Sequence, residues 1–167
     1  MSQDTMASLI ERAIEFECRA RDLYITFSDI FSHNDKVSTF WGQFSEDESR
    51  HMNLLEETRN TLSQEELSSP VGKKESASVR KVQHLLNTVM TVCIQNLNDA
   101  YELADEIENS EINAIFRFVL IKSVPAKELD MLIHAQIEEH LNRLTTFGQK
   151  FPELRRKCIC IKDIPRT

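Results

Sequence analysis

The sequence predicts an all-α protein built as a four-helix bundle, and three observations carry that prediction. Apolar residues recur every three to four positions along four long stretches, the period of a helix with one buried face. Only three Gly and four Pro interrupt a chain of 167 residues. Its 41% hydrophobic and 28% charged residues suit one helical domain large enough to bury a real core. That domain is expected over residues 1–152, with 153–167 as a C-terminal tail.

The first helix is expected from about Asp4 to Phe31, with Ile10, Ala13, Ile14, Glu17, Ala20, Tyr24, Phe27 and Phe31 on one face. Ser32-His33-Asn34-Asp35 breaks it. The second runs to near Leu62 on the stripe Val37, Phe40, Trp41, Phe44, Glu48, His51, Leu55, Thr58. Ser63 to Ser76 is polar, contains Pro70 and Gly72, and reads as a linker. The third helix is expected from about Ala77 to Glu108, turning Val82, Leu86, Met90, Cys93, Leu97, Ala100, Tyr101, Ala104 and Ile107 inward. Between Ser110, a natural N-cap, and Lys122, the residues Ile112, Ile115, Phe116, Val119 and Leu120 predict a short extra helix that closes one end of the bundle or makes a dimer contact. The fourth helix spans about Pro125 to Thr146, with Leu129, Ile133, Ile137, His140 and Leu144 inward; Gly148 and Pro152 stop it.

Loop lengths set the topology. The short break near Asn34 makes helices one and two antiparallel neighbours. A ~26-residue helix is about 39 Å long, and a ~14-residue linker can stretch to roughly 46 Å. The linker can therefore return along the bundle and leave helices two and three parallel, the long crossover of ferritin-like bundles. Glu17 then lies as far before the first turn as Glu48 and His51 lie after it, so the three share a level. Leu97 and the Ile137/His140 pair are similarly spaced about the second connection.

The chemistry is expected at that level. Glu48-Ser49-Arg50-His51 sits inside an apolar stripe, and residues three apart on a helix project side by side. A bare buried carboxylate costs several kcal/mol, so Glu48 needs a proton, strong hydrogen bonds or a cation. A metal ion meets that need, and helical bundles build metal sites from such Glu-x-x-His pairs.

Composition narrows the other options. A net charge of -7 leaves no basic face for nucleic acid, and Arg155-Arg156-Lys157 is too short a run to change that. No apolar stretch approaches the ~20 residues of a membrane span. Residues Met1 to Thr5 lack the basic and apolar regions of a signal peptide, so the expected location is cytoplasmic. Cys18 and Cys93 fall in helical patterns, where a thiol packs as a small apolar group. Cys158-Ile159-Cys160 has neither the spacing nor the second pair of a structural zinc site.

The chain resembles the rubrerythrin branch of the ferritin-like superfamily over roughly residues 5–148. The resemblance rests on Ala13-Ile14-Glu15-Phe16-Glu17 followed by Tyr24, on Asp47-Glu48-Ser49-Arg50-His51, and on Ile137-Glu138-Glu139-His140 followed by Leu144. The family pattern is a Glu on helix one, Glu-x-x-His on helix two, a Glu on helix three and Glu-x-x-His on helix four. Members hold two irons there and react with oxygen or peroxide. Against that pattern, Leu97 stands where helix three should carry Glu, and Ile137 stands three residues before His140. Glu138 and Glu139 point about 100° and 200° away from Ile137. The rubredoxin-like domain that passes electrons to the irons is missing.

The resulting expectation is one divalent metal held by Glu17, Glu48 and His51, with His140 completing the shell. The resemblance favours iron, the ligand types admit zinc or manganese as well, and any activity implied is redox or peroxide-related. The catalytic residues and the electron donor are unspecified; a homodimer is expected. Two rivals stand beside this reading. One is a non-catalytic interaction module whose inward Glu and His only bond each other and whose 110–122 segment is the working surface. The other is a di-iron oxidase or peroxidase with substitute ligands such as Gln136.

Overall fold

The computed structural model describes residues 4–110, 112–148, 150 and 155–160. Helix α1 (Met6–Ile30) opens on a reciprocal cap: the Thr5 hydroxyl accepts from the Ser8 amide at 3.3 Å, and Ser8 Oγ accepts from the Thr5 amide at 2.9 Å. Helix α2 (Asp35–Thr61) opens on Asn34, whose side chain accepts from the Val37 amide. The pair is antiparallel, and a Ser28–Ser38 hydroxyl contact of 2.9 Å ties its corner. Their facing stripes are buried as the periodicity requires, with Phe16, Tyr24, Phe27, Trp41 and Phe44 at 0% exposure.

The crossover is longer than the linker the sequence suggests. After the short helix α3 (Gln64–Ser68), the chain runs beside the start of α1, where Met6 N donates to Ser69 O and Val71 N donates to Asp4 O. Helix α4 (Lys73–Val89) then climbs parallel to α1, as the contacts Arg12–Gln83 and Arg19–Asn87 show by advancing together. The expected single helix over 77–108 breaks after Val89. A short strand β1 (Cys93–Asn96) follows, and helix α5 (Leu97–Glu108) starts anew. Two local features cause the break. Thr91, Val92 and Ile94 are β-branched and favour extended backbone. Asn96 and Asp99 form another reciprocal cap, Asn96 Oδ1 accepting from the Asp99 amide and Asp99 Oδ2 from the Gln95 and Asn96 amides.

Helix α5 doubles back, so that Glu106 and Ser110 lie in one cleft with Lys81, Val82 and Leu85 of α4. Helix α6 (Ile112–Leu120) continues in the same direction, its first amide (Ile112 N) capped by Ser110 Oγ. It runs parallel to α2: Phe116 lies against His51, and Ser123, just past α6, bonds Thr58. Thus α5 and α6 together form the third rod, and the residues 63–96 are the crossover. The greasy segment at 110–122 is the lower half of that rod. Ile112, Ile115, Phe116, Val119 and Leu120 are all buried within the chain, so the apolar face read as a dimer contact is already covered.

The fourth rod is α7 (Ala126–Ile133), a π-helical turn over His134–Glu138 and α8 (Glu139–Gly148). It is antiparallel to α2, with Gln136 beside His51, His140 beside Glu48 and Phe147 stacked on Phe40. The chain is therefore an all-α ferritin-like bundle. Part of the segment read as a tail, Arg155–Cys160, forms strand β2 antiparallel to β1, pairing Cys93 with Cys160 and Ile94 with Ile159. Pro152 lies outside the described residues. No helix among the described residues is long and apolar enough to cross a membrane.

Candidate metal centre

Five side chains from the four rods meet in the middle of the bundle: Glu17, Glu48, His51, Glu108 and His140, each no more than 6% exposed. Each of the four sequence-expected residues is there, and Glu108 joins them. They form two overlapping triads, Glu17/Glu48/His51 and Glu48/Glu108/His140, and within each triad one donor atom per residue lies within 4.8 Å of the others. Glu48 belongs to both through different oxygens. Its Oε2 lies 2.8 Å from His51 Nδ1, and its Oε1 lies 3.6 Å from His140 Nε2.

The first triad fixes a tautomer. His51 Nε2 lies 3.0 Å from the backbone carbonyl of Gln136, which can only accept, so Nε2 carries the proton. That carbonyl belongs to the π-helical turn. Gln136 thus reaches the centre through its main chain rather than as a substitute ligand. Nδ1 then faces Glu48 Oε2 at 2.8 Å and Glu17 Oε2 at 3.5 Å. A lone pair facing two carboxylate oxygens is repulsive unless a proton or a cation lies between them. Without metal, protons fill that role. Burial pushes the Glu48 carboxyl up to about 8, with the nearby Glu108 and Glu17 adding to it against the pull of His51. Burial alone would lower His51, but Glu48 and Glu17 hold it well above its usual value.

The second triad is held from outside. Tyr24, stacked on Trp41 and fully buried, donates its hydroxyl to Glu108 Oε1 at 2.5 Å. Burial works to raise Glu108, but His140 and Tyr24 outweigh it and leave this carboxyl below its usual range. His140 packs edge-on against Phe44, with ring centroids 4.0 Å apart. Its Nδ1 lies 3.7 Å from Asp47, a buried carboxylate paired with Arg50 and Arg143. Burial would lower His140 too, but Glu108 and Glu48 raise it. Both ring nitrogens of His140 and Oε1 of Glu48 are buried without a hydrogen-bond partner. Buried polar atoms are rarely left so, and all three belong to the second triad or look toward it.

The donor set suits a metal. Imidazole and carboxylate bind first-row divalent ions at about 2.0–2.2 Å, and donors within 4.8 Å of each other can close on such an ion with small rotations.

The family model for rubrerythrin matches residues 8–122. The chain belongs to the rubrerythrin family. No curated protein and no solved structure matches it. The matched span of this rubrerythrin carries Glu17, Glu48, His51 and Glu108, while His140 lies beyond it. The expected departure on the third helix needs correction. Leu97 is the first residue of α5, and Glu108 lies 11 residues, or about three turns, further along the same face. The departure on the fourth helix stands: Ile137 is buried at 7% exposure, three residues before His140. Sequence reasoning also passed over Asp47, which the motif Asp47-Glu48-Ser49-Arg50-His51 contains. Its neighbours Arg50 and Arg143 are separated by most of the chain.

Proposed function

We propose that this rubrerythrin binds two divalent metal ions side by side, one on Glu17, Glu48 and His51 and the other on Glu48, Glu108 and His140. Glu48 bridges the two. The carrying observation is the division of its carboxylate, with one oxygen directed to each histidine. The one-ion expectation rested on two inward carboxylates; Glu108 makes three, and two neutral imidazoles bring the protein donors to five. Five donors, one of them shared, give three to each ion, and such open shells leave room for an exogenous ligand.

Iron is the metal the family favours, and an iron pair would supply two electrons to split an oxygen–oxygen bond. The reaction class we assign is reduction of peroxide, which consumes two electrons and two protons per molecule and so requires an external electron donor. The chain's own residues hold the site for it. The Gln136 carbonyl fixes the His51 imidazole, Tyr24 holds Glu108, and the rings of Phe44 and Phe116 pack against His140 and His51. The buried Tyr24 hydroxyl is the nearest O–H to Glu108 and stands where a proton would be needed.

Metal analysis after anaerobic loading with Fe²⁺ tests the count. About two ions per chain are expected in wild type, about one in Glu17→Ala and in Glu108→Ala, and neither tightly held in Glu48→Ala. One ion per chain in wild type, unchanged in Glu108→Ala, would return the reading to one metal on the first two helices. Peroxide consumption by the reduced protein, absent in Glu48→Ala, tests the reaction class.

A further inference from the structure

Where α4 runs beside the start of α1, the two helices leave a cavity of about 550 Å³ between them. Pockets of that size suit a small organic ligand. The cavity shares no residue with the metal centre. Its apolar part is Leu9, Val71 and Val79, the first two buried. Its polar part is rich in donors, because the side-chain acceptors of its amides are already taken. Gln83 Oε1 accepts from Arg12 Nη1 at 3.4 Å. Asn87 Oδ1 accepts from Arg19 Nη2 at 3.0 Å and from Gln83 Nε2 at 3.1 Å. The Ser8 hydroxyl is occupied by the cap with Thr5. What remains is Asn87 Nδ2, the Nε and Nη2 of Arg12, and the whole guanidinium of Arg80, which has no partner among the described residues. Arg80 stands one turn before Gln83, the residue that Arg12 touches, so guanidinium groups from two helices border the same space. Asp4 is the one carboxylate on the lining, and it makes no ion pair among the described residues. Ser76 and His84 can each donate or accept there. On a chain of net charge -7, this is a local excess of positive charge and of N–H donors.

We propose that this cavity binds a small organic anion, its phosphate or carboxylate head held between Arg12 and Arg80 and its apolar body laid on Leu9, Val71 and Val79. An ionised head of either kind only accepts hydrogen bonds, and the open positions of the lining are mostly donors. Guanidinium forks match two oxygens of such a head, and charge-assisted bonds of this type are the strong ones. Asn87 Nδ2 adds a neutral donor. Asp4 disfavours a second anionic group on the same ligand, so one head and one apolar body is the combination that fits. The bound anion bridges α1 and α4 and fastens the crossover to the first rod. Because it binds only the folded chain, Tm rises with its concentration. None of this requires a metal ion in the centre.

The experiment titrates the full chain, labelled with nitrogen-15, with phenyl phosphate and with benzoate, which carry the two heads on one apolar body. Expected is saturable binding of at least one of them, with Kd about 0.1–1 mM, and amide shifts centred on residues 4–12 and 71–87. Inorganic phosphate and phenol, each lacking one half of the ligand, should bind about tenfold or more weakly. Arg12→Ala and Arg80→Ala should each weaken the bound probe about tenfold, whereas Lys36→Ala, at the start of α2, should leave it unchanged. Both arginines are exposed, and circular dichroism confirms that each variant is folded. Glu48→Ala should keep the wild-type affinity. The proposal is overturned by no saturation with either probe at about 10 mM, by shifts centred elsewhere, or by an affinity that survives either arginine replacement. It is equally overturned by inorganic phosphate binding as tightly as phenyl phosphate, or by a loss in Glu48→Ala, which would place the anion at the metal centre.

Discussion

Metal-free and metal-loaded protein should respond to pH in opposite ways, and the buried triads set the sign. Glu48 holds its proton up to about 8 in the folded chain, and its ordinary value is 4.5. His51 and His140 are likewise raised. A group raised on folding stabilises the native state fully below its unfolded value, and that contribution is lost as pH rises toward the folded one. For Glu48 the window runs from about 4.5 to about 8; for the histidines it opens at 6.5 and extends above it. Glu108 is lowered, so it acts in the opposite direction, at and below its ordinary range. One excess proton corresponds to ~1.4 kcal/mol per pH unit. Between about pH 5.5 and 7.5, Glu48 alone removes about 2–3 kcal/mol, or roughly 5–10 °C of Tm for a chain of this size. The histidines add to the fall at the upper end. Metal ions displace these protons, so their stabilisation should grow over the same range. Thermal melts in chelator and with Zn²⁺, which avoids redox chemistry, measure both curves. An apo Tm that stays level or climbs between these pH values, or a Zn²⁺ stabilisation that shrinks with pH, would refute the reasoning. Glu48→Gln should flatten the apo curve.

Other perturbations separate the parts of the centre. Tyr24→Phe leaves Glu108 without its 2.5 Å donor and should cost about 1.5–3 kcal/mol in chemical denaturation of the apo protein. Phe116→Ala removes a fully buried ring beside His51; the expected loss is about 3–5 kcal/mol, with weakened metal binding and an unchanged elution volume on gel filtration. Ile137→Glu should tighten binding of the second ion in a calorimetric titration while lowering the apo Tm, because an additional buried carboxyl has no partner until metal arrives. Asn96→Ala removes the cap that starts α5 and should cost roughly 0.5–2 kcal/mol, read from the same melts.

Much of the fold was legible in residue spacing alone. The stripes of α1 and α2 are long and uninterrupted, so Glu17, Glu48 and His51 fell on the core face without knowledge of any partner. The third rod was not legible in the same way. Val82, Leu86, Met90, Cys93 and Leu97 keep a helical period across a stretch where the backbone is not helical, and periodicity cannot see a break that preserves phase. The signal that marks the break is local: a β-branched run followed by the reciprocal cap of Asn96 and Asp99. Reading that cap would have ended the crossover there and joined α5 to α6. It would also have moved the helix-three position that faces the centre from Leu97 to Glu108. The π-helical turn left no comparable mark, since Ile133, Ile137, His140 and Leu144 remain buried on either side of it.

That turn also bears on the proposed centre, which lacks a carboxylate at position 137. The Gln136 carbonyl belongs to the π-helical turn, and from there it reaches His51 Nε2. The hydrogen bond fixes the imidazole with Nδ1 inward, a constraint that does not depend on any residue at position 137. On the other side, Asp47 lies near His140 Nδ1 and leaves Nε2 facing Glu48 and Glu108. His51 is thus oriented by a hydrogen bond to a group outside the donor set, as metal-ligating imidazoles generally are, and His140 is held by the edge-on ring of Phe44. With Glu48 divided between the two rings, the two-ion centre proposed above does not depend on a carboxylate at position 137. In that proposed centre, three carboxylates opposite two divalent ions would leave a net positive charge, which favours an anionic exogenous ligand on the open positions. Ile137→Glu would remove that excess, so it should weaken inhibition by a small anion such as azide even as it strengthens metal binding. Equal azide affinity in the two metal-loaded proteins would contradict this account.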